Sequence, residues 1–208
     1  MKKLLHIIAT PRGDESNTMR VSNFFLKTLM KKNPKLIIEV VNTFDQQMIT
    51  LSNLRIEGKY ELLENRKLVG ELEKSWEGIF FHIENFLSAD AYLISTPMWN
   101  FSIPYTLKQY IDIIVQPKYL FRYTDDGIPQ GLVLNKKMIV ITSSGGDYST
   151  NQMSSYNFLE PYLRTIFGFV GITDISFLSA HSMNIGDEIK KHKMSEHQEK
   201  AKELALQF

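Results

Sequence analysis

Residues 97–109 read Pro97-Met98-Trp99-Asn100-Phe101-Ser102-Ile103-Pro104-Tyr105-Thr106-Leu107-Lys108-Gln109. They follow directly on Ala89-Asp90-Ala91-Tyr92-Leu93-Ile94-Ser95-Thr96. An apolar run ends, a turn rich in aromatic and amide side chains follows, and a helix begins. In an open parallel α/β sheet, ligands bind beyond the carboxyl ends of the strands. This turn therefore stands where a binding site belongs, and its residue types suit a flat ring with polar edges.

The flanking chain supplies the rest of such a sheet. Leu4–Ala9, Leu36–Val41, Ala91–Thr96, Lys137–Thr142 and Thr173–Leu178 read as strands, several nearly all apolar, as parallel strands covered on both faces are. Helical spacing marks Thr18–Lys32 (Val21, Phe24, Phe25, Leu29, Met30), Arg66–Phe86, Ile103–Val115 with Pro104 in its first turn, Phe158–Phe167 and Asp187–Leu206. Leu120–Thr124 and Gly131–Leu134 flank an Asp-Gly turn and read as a loop or hairpin. Residues 43–65 give no clear period and read as short helical pieces. The β-α alternation implies one domain over residues 1–208, a doubly wound, five-stranded parallel sheet in a three-layer α/β/α arrangement.

Composition narrows the function. The 208 residues are 43% hydrophobic with a net charge of +1, enough for one core and no strong field toward nucleic acid. There is no cysteine, so thiolate catalysis and Cys-ligated metals are excluded, and redox chemistry must come from a cofactor. No His-Glu-x-x-His occurs, and no metal site is expected. No apolar run approaches the ~20 residues that cross a bilayer. The start, Met1-Lys2-Lys3-Leu4-Leu5-His6, reads as a strand and not a targeting segment, so a cytoplasmic protein is expected.

Three loops follow strands one, three and four and share one rim. Thr10 to Thr18 brings Ser16, Asn17 and Thr18 to a helix start, where backbone N–H groups and hydroxyls suit a phosphate; ordinary helix capping is the plainer alternative. Asp14 and Glu15 must then face solvent. Pro97-Met98-Trp99-Asn100-Phe101 places large aromatics in a loop, either as a ring-binding wall or as core. Ser143-Ser144-Gly145-Gly146 lets a ligand approach the backbone closely, or is a plain turn. One ligand with a phosphate at one end and a flat ring at the other accounts for all three, and FMN fits better than NAD or ATP. Neither a Walker motif nor Gly-x-Gly-x-x-Gly is present.

At these residues the chain resembles the FMN-dependent NADH:azoreductases, a family of flavodoxin-like quinone reductases. Four collinear stretches carry the resemblance: Pro97 to Pro104, Phe121-Arg122-Tyr123-Thr124 with Gly131-Leu132, Lys136 to Gly146, and Pro161-Tyr162-Leu163 with Phe167 to Asp174. It implies tightly but non-covalently bound FMN, with its phosphate at Ser16, Asn17 and Thr18 and Thr10 nearby. Pro97, Met98, Trp99, Asn100 and Phe101 would surround the ring, and Ser143, Ser144, Gly145 and Gly146 would line its pyrimidine edge. Asn100, Tyr123 and Phe169 would form a substrate pocket. Some family members have Ser at Thr10 and Arg at Ser144. The second departure removes a positive charge and is expected to bear on substrate preference or NADPH use more than on FMN.

The resemblance also implies NADH or NADPH as hydride donor and a quinone or azo compound as acceptor, in a ping-pong cycle at flavin N5 without a catalytic triad. It implies a homodimer whose pockets use both chains, with Trp99, Phe121 and Tyr123 as exposed aromatics suited to an interface. The alternatives are a flavodoxin-like electron-transfer protein and a non-catalytic flavin-binding module. A receiver domain is disfavoured because strand three ends in Ser95-Thr96-Pro97 with no acceptor Asp. A flavodoxin-like tyrosine phosphatase is excluded by the missing cysteine nucleophile.

Overall fold

Strands β1 (Lys3–Ile8), β2 (Ile37–Asn42), β3 (Ala91–Pro97), β6 (Lys137–Ser143) and β7 (Asp174–Ala180) pair in the order β2-β1-β3-β6-β7, all parallel. The computed structural model describes residues 1–44, 48–184 and 186–208. Numbered within the sheet, that order is 2-1-3-4-5, the doubly wound arrangement whose ligand crevice opens between the first and third strands.

Alternation along the strands builds two cores. Leu5, Ile7, Tyr92, Ile94, Met138 and Val140 face helices α3 (Glu71–Ser88), α4 (Tyr105–Ile114) and α5 (Leu159–Phe169), through Trp76, Ile79, Ile83, Tyr110 and Phe167. Leu4, Leu93, Ile139, Ile141 and Leu178 face α1 (Asn17–Lys32) and α6 (Asp187–Gln207). Helices on both faces explain why the central strands read as continuous apolar runs. On the α1 side the apolar pattern gives way to a buried polar chain: His6 Nε2 lies 2.7 Å from Ser95 Oγ, which donates to Ser22 Oγ at 2.6 Å.

Several expectations are corrected. In α1 the buried stripe is Val21, Phe25 and Leu29, and Phe24 and Met30 are exposed. The helix expected from Arg66 begins at Glu71, because Gly70 adopts φ +62° just ahead of it. Pro104 immediately precedes α4 and is not in its first turn. Residues 43–65 contain α2 (Asn53–Leu63), capped by Ser52 and packed on α3, where the Trp76 indole lies against Gly58; residues 45–47 of that stretch lie outside the described residues. Of the two readings of the Asp-Gly segment the hairpin holds: β4 (Phe121–Tyr123) pairs antiparallel with β5 (Pro129–Gly131). Phe121 in it is buried, not exposed. Within α6, His197, Ala201 and Ala205 form the buried face.

Candidate functional site

The loop after β1 keeps Asp14 and Glu15 exposed and turns into α1 at Ser16. Ser16 is buried and caps the helix, its Oγ accepting from Met19 N at 3.5 Å. First-turn amides of a helix have no intrahelical acceptor, so those of Asn17 and Thr18 are donors for something else. Asn17 Oδ1 is buried without a protein partner among the described residues, and Thr10 is buried close by in sequence. The Thr18 hydroxyl is engaged: its Oγ1 lies 2.7 Å from Ser143 Oγ. Thr18 can therefore offer a ligand its backbone amide, while its side chain ties the first loop to the third.

The second loop leaves β3 with Met98 N donating to Ser143 O at 2.8 Å. Trp99 and Ser102 then exchange two backbone hydrogen bonds, at 2.9 and 3.0 Å. The two residues between them have φ +48° (Asn100) and φ +69° (Phe101). Positive φ at both central positions makes a type I′ turn. Asn adopts this region readily, but a left-handed Phe costs about 1–2 kcal/mol. Trp99 is 37% and Phe101 43% exposed. They are therefore not core. Their outer neighbours are also aromatic: Phe44 against Trp99 at 5.6 Å, and Tyr156 and Tyr148 against Phe101 at 5.6 and 6.2 Å between centroids. Met98 and Pro97 are half-buried beneath the turn.

The third loop has a repeating backbone pattern. The carbonyls of Ser144, Gly145 and Gly146 accept from the amides of Met183, Asn184 and Ser182, at 3.0, 3.3 and 3.1 Å. A trans peptide points its C=O and the following N–H in opposite directions. The amides of Gly145, Gly146 and Asp147 therefore point away from residues 182–184, and among the described residues none has a protein acceptor. Three consecutive free amides form a cradle for negative charge.

Three residues at this rim escaped sequence reasoning: Tyr148, His181 and Asn184. The Tyr148 ring stands between Phe101 and His181, 6.2 and 6.5 Å from their centroids. His181 Nδ1 lies 2.9 Å from Ser144 Oγ. Burial lowers the His181 pKa from its ordinary value, with Asp147 opposing. The signal was available: β7 also ends on this rim, so the polar run His181-Ser182-Met183-Asn184 is a fourth loop of the same kind.

The structure thus brings Thr10, Ser16, Asn17, Thr18, residues 97–101 and residues 143–146 to one rim. It does not bring Tyr123 or Phe169 there. Neither lies after a strand of the five-stranded sheet: Tyr123 is in the β4 hairpin that follows α4, and Phe169 is the last residue of α5. Phe169 ends α5 five residues before β7 begins, and its ring packs on Phe121 at 4.8 Å. Gly131, paired with Phe121, abuts Val170 and Gly171. Tyr123 is exposed beside Leu62, Leu63 and Lys118.

A sheet of this order, with an anion-ready helix start, an aromatic turn and a glycine loop on one rim, defines a flavodoxin-like binding protein. Residues 2–205 match the family described as having a flavodoxin-like fold, and the chain belongs to it. It is 33% identical over 210 residues, covering 100% of both chains, to the FMN-dependent NADH:quinone oxidoreductase of Nitratidesulfovibrio vulgaris (strain DP4). Its fold matches an azoreductase from Bacillus anthracis str. Sterne with TM-score 0.90, at 24% identity and 100% coverage of both chains. An FMN-dependent NADH-azoreductase from Bacillus anthracis str. Ames Ancestor, solved in complex with FMN, matches with TM-score 0.84 at 29% identity, covering 99% of this chain and 100% of the other.

Proposed function

We propose that the chain is a single-domain, cytoplasmic, FMN-dependent NADH:quinone oxidoreductase that also reduces azo compounds. The observation that carries this reading is the tie between the start of α1 and the glycine loop, Thr18 Oγ1 to Ser143 Oγ at 2.7 Å, with the exposed 98–101 turn beside it. It joins the loop suited to an anion to the loop beside the aromatic turn, which supports one ligand spanning both. The full-length likeness to FMN-dependent NADH:quinone oxidoreductases supports the same assignment.

The residues fit FMN. Ser16 Oγ and the first-turn amides of Asn17 and Thr18 would hold the phosphate, with Thr10 nearby. The unpartnered Asn17 amide can accept from a ribityl hydroxyl or, turned over, donate to the phosphate. Pro97, Met98, Trp99, Asn100 and Phe101 would wall the ring. The outward amides of the 143–146 loop would meet its acceptor-rich pyrimidine edge.

Bound FMN supplies the hydride-transfer chemistry. The protein's part is placement and electrostatics. The amides of Gly145, Gly146 and Asp147 would meet the edge where negative charge grows on reduction, without reorganisation. The left-handed turn holds Trp99 and Phe101 out of the core, and a ring walled on one side by them would offer its other face to the nicotinamide and the acceptor in turn, a ping-pong order in which NADH, or NADPH, gives up its hydride and leaves oxidised before the acceptor binds. Asn100, the residue of the turn with both donors and acceptors, orients them.

Tyr123 and Phe169 complete the pocket from a second copy. They lie on the opposite rim of their own sheet, so a homodimer is the arrangement that brings them to a 97–101 turn. Light scattering should show a dimer, and a monomer that turns over at the dimer's rate refutes this part. The activity itself is tested by anaerobic stopped-flow mixing. Rapid bleaching of the FMN-loaded chain by NADH and recovery with menadione are expected. A yellow protein that NADH does not bleach is an electron-transfer protein or a binding module instead.

A further inference from the structure

The fourth loop of the rim touches the glycine loop at every residue. Ser144 Oγ lies 2.9 Å from Gly146 O and 2.9 Å from His181 Nδ1. A hydroxyl has one proton, and a carbonyl can only accept. With the Ser144 proton on Gly146, His181 must donate its Nδ1–H, which fixes the ring's tautomer and orientation. Ser182 follows at φ +64°, a left-handed conformation that a serine adopts at a cost of about 1 kcal/mol. That conformation lets the chain double back so that residues 182, 183 and 184 each donate to the glycine loop. The Asn184 amide packs on Gly145, its Nδ2 2.7 Å from where a Cβ would stand. The direction of the three free amides is thus set from behind, by residues 182–184.

We propose that His181 is a positioning residue for the cofactor's reduced state: acting through Ser144, it holds the Gly145, Gly146 and Asp147 amides toward the ring edge that becomes negative. The inference rests on the FMN reading above. Oxidised flavin has no net charge on that edge and gains little from aimed amides. Reduced flavin gains more, because preorganised donors act most on charge that develops. Loosening the loop must therefore weaken reduced-state binding more than oxidised-state binding. A merely structural role would weaken both alike and leave the potential unmoved.

The test uses the full FMN-loaded chain with His181→Leu, His181→Asn, Ser144→Ala and the Leu/Ala double variant. Asn is chosen because its amide nitrogen takes roughly the place of Nδ1. Two quantities are read: the Kd of oxidised FMN by fluorescence quenching, and the two-electron potential by spectroelectrochemistry. His181→Leu and Ser144→Ala should each raise the oxidised Kd less than about threefold. Each should cut the preference for reduced over oxidised FMN about tenfold, which is about 30 mV for a two-electron couple. The double variant should be no worse than either single one, and His181→Asn should return to within about twofold of the parent. If His181→Leu does not fold, Ser144→Ala and His181→Asn decide: a lowered potential in the first and a parental one in the second support the inference. A potential unmoved in both His181→Leu and Ser144→Ala overturns it, as does full additivity in the double variant. A parent chain that takes up no FMN overturns the functional reading and this inference with it, whereas FMN uptake with unmoved potentials overturns only the inference.

Discussion

Replacing Phe101 with glycine separates a site aromatic from a core aromatic, because the two roles give opposite ledgers. Fully burying a Phe is worth about 1.5–3 kcal/mol. At 43% exposed, Phe101 keeps roughly half of that, mainly against Tyr148 and Tyr156. Against this loss stands relief of the left-handed φ of +69°, about 1–2 kcal/mol. Glycine's extra freedom in the unfolded chain subtracts about 0.5–1 kcal/mol. The sum is a destabilisation of about 1 kcal/mol or less. A fully buried aromatic such as Phe86 should cost about 3–5 kcal/mol on truncation. FMN binding should respond the other way: removing one wall of the ring site should raise the Kd at least about tenfold. Urea unfolding of the FMN-free protein and fluorescence titration with FMN measure the two effects. A loss above about 3 kcal/mol with unchanged FMN affinity would refute the reasoning and return Phe101 to the core.

Other outcomes follow from the same geometry. Thr18→Val removes the bond to Ser143; it should cost about 1–2 kcal/mol and loosen FMN about three- to tenfold, and an unchanged FMN Kd would separate the two ends of the site. Burial lowers the pKa of His6 to about 4 from 6.5. Below pH 6.5 the unfolded chain takes up a proton that the folded one refuses. Stability from this residue is therefore complete above pH 6.5 and falls by about 3 kcal/mol toward pH 4. Burial shifts His82, His181 and His197 in the same direction. Unfolding titrations should show that acid slope, reduced in His6→Gln; an equal slope in both proteins rules His6 out as its main source. Gly131→Ala would drive a Cβ into the backbone of Val170 and Gly171, with Val170 O at 2.6 Å. Neither can give way, so a loss of at least about 2 kcal/mol is expected in urea unfolding, and a neutral effect would show that the hairpin is not held there.

The sheet was legible because strands covered on both faces leave long apolar runs, and the crossover helices carry single apolar stripes. Helix α2 was not, because only Gly58 and Leu62 in it are buried, while Leu54, Ile56, Tyr60 and Leu63 are exposed. Its apolar residues form no one-sided pattern to read. The candidate rim was legible from small and polar residues after strands one, three and four, but the same reasoning applied to the last strand would have found His181. The strain at Phe101 was not legible, since nothing in a phenylalanine favours positive φ. The rim occupied by Tyr123 and Phe169 could have been derived, because one lies in the hairpin between α4 and the next sheet strand and the other at the end of α5, both where sheet strands begin. A list of family residues carries no such information, whereas topology does.

The central question is whether this rim holds FMN and passes electrons from NADH to a quinone. Anaerobic mixing of the FMN-loaded chain with NADH, followed by menadione, tests it in one trace. Loss of the oxidised flavin's visible absorbance is expected on the first addition and its full return on the second. Absorbance that stays unchanged with NADH would contradict the proposed function.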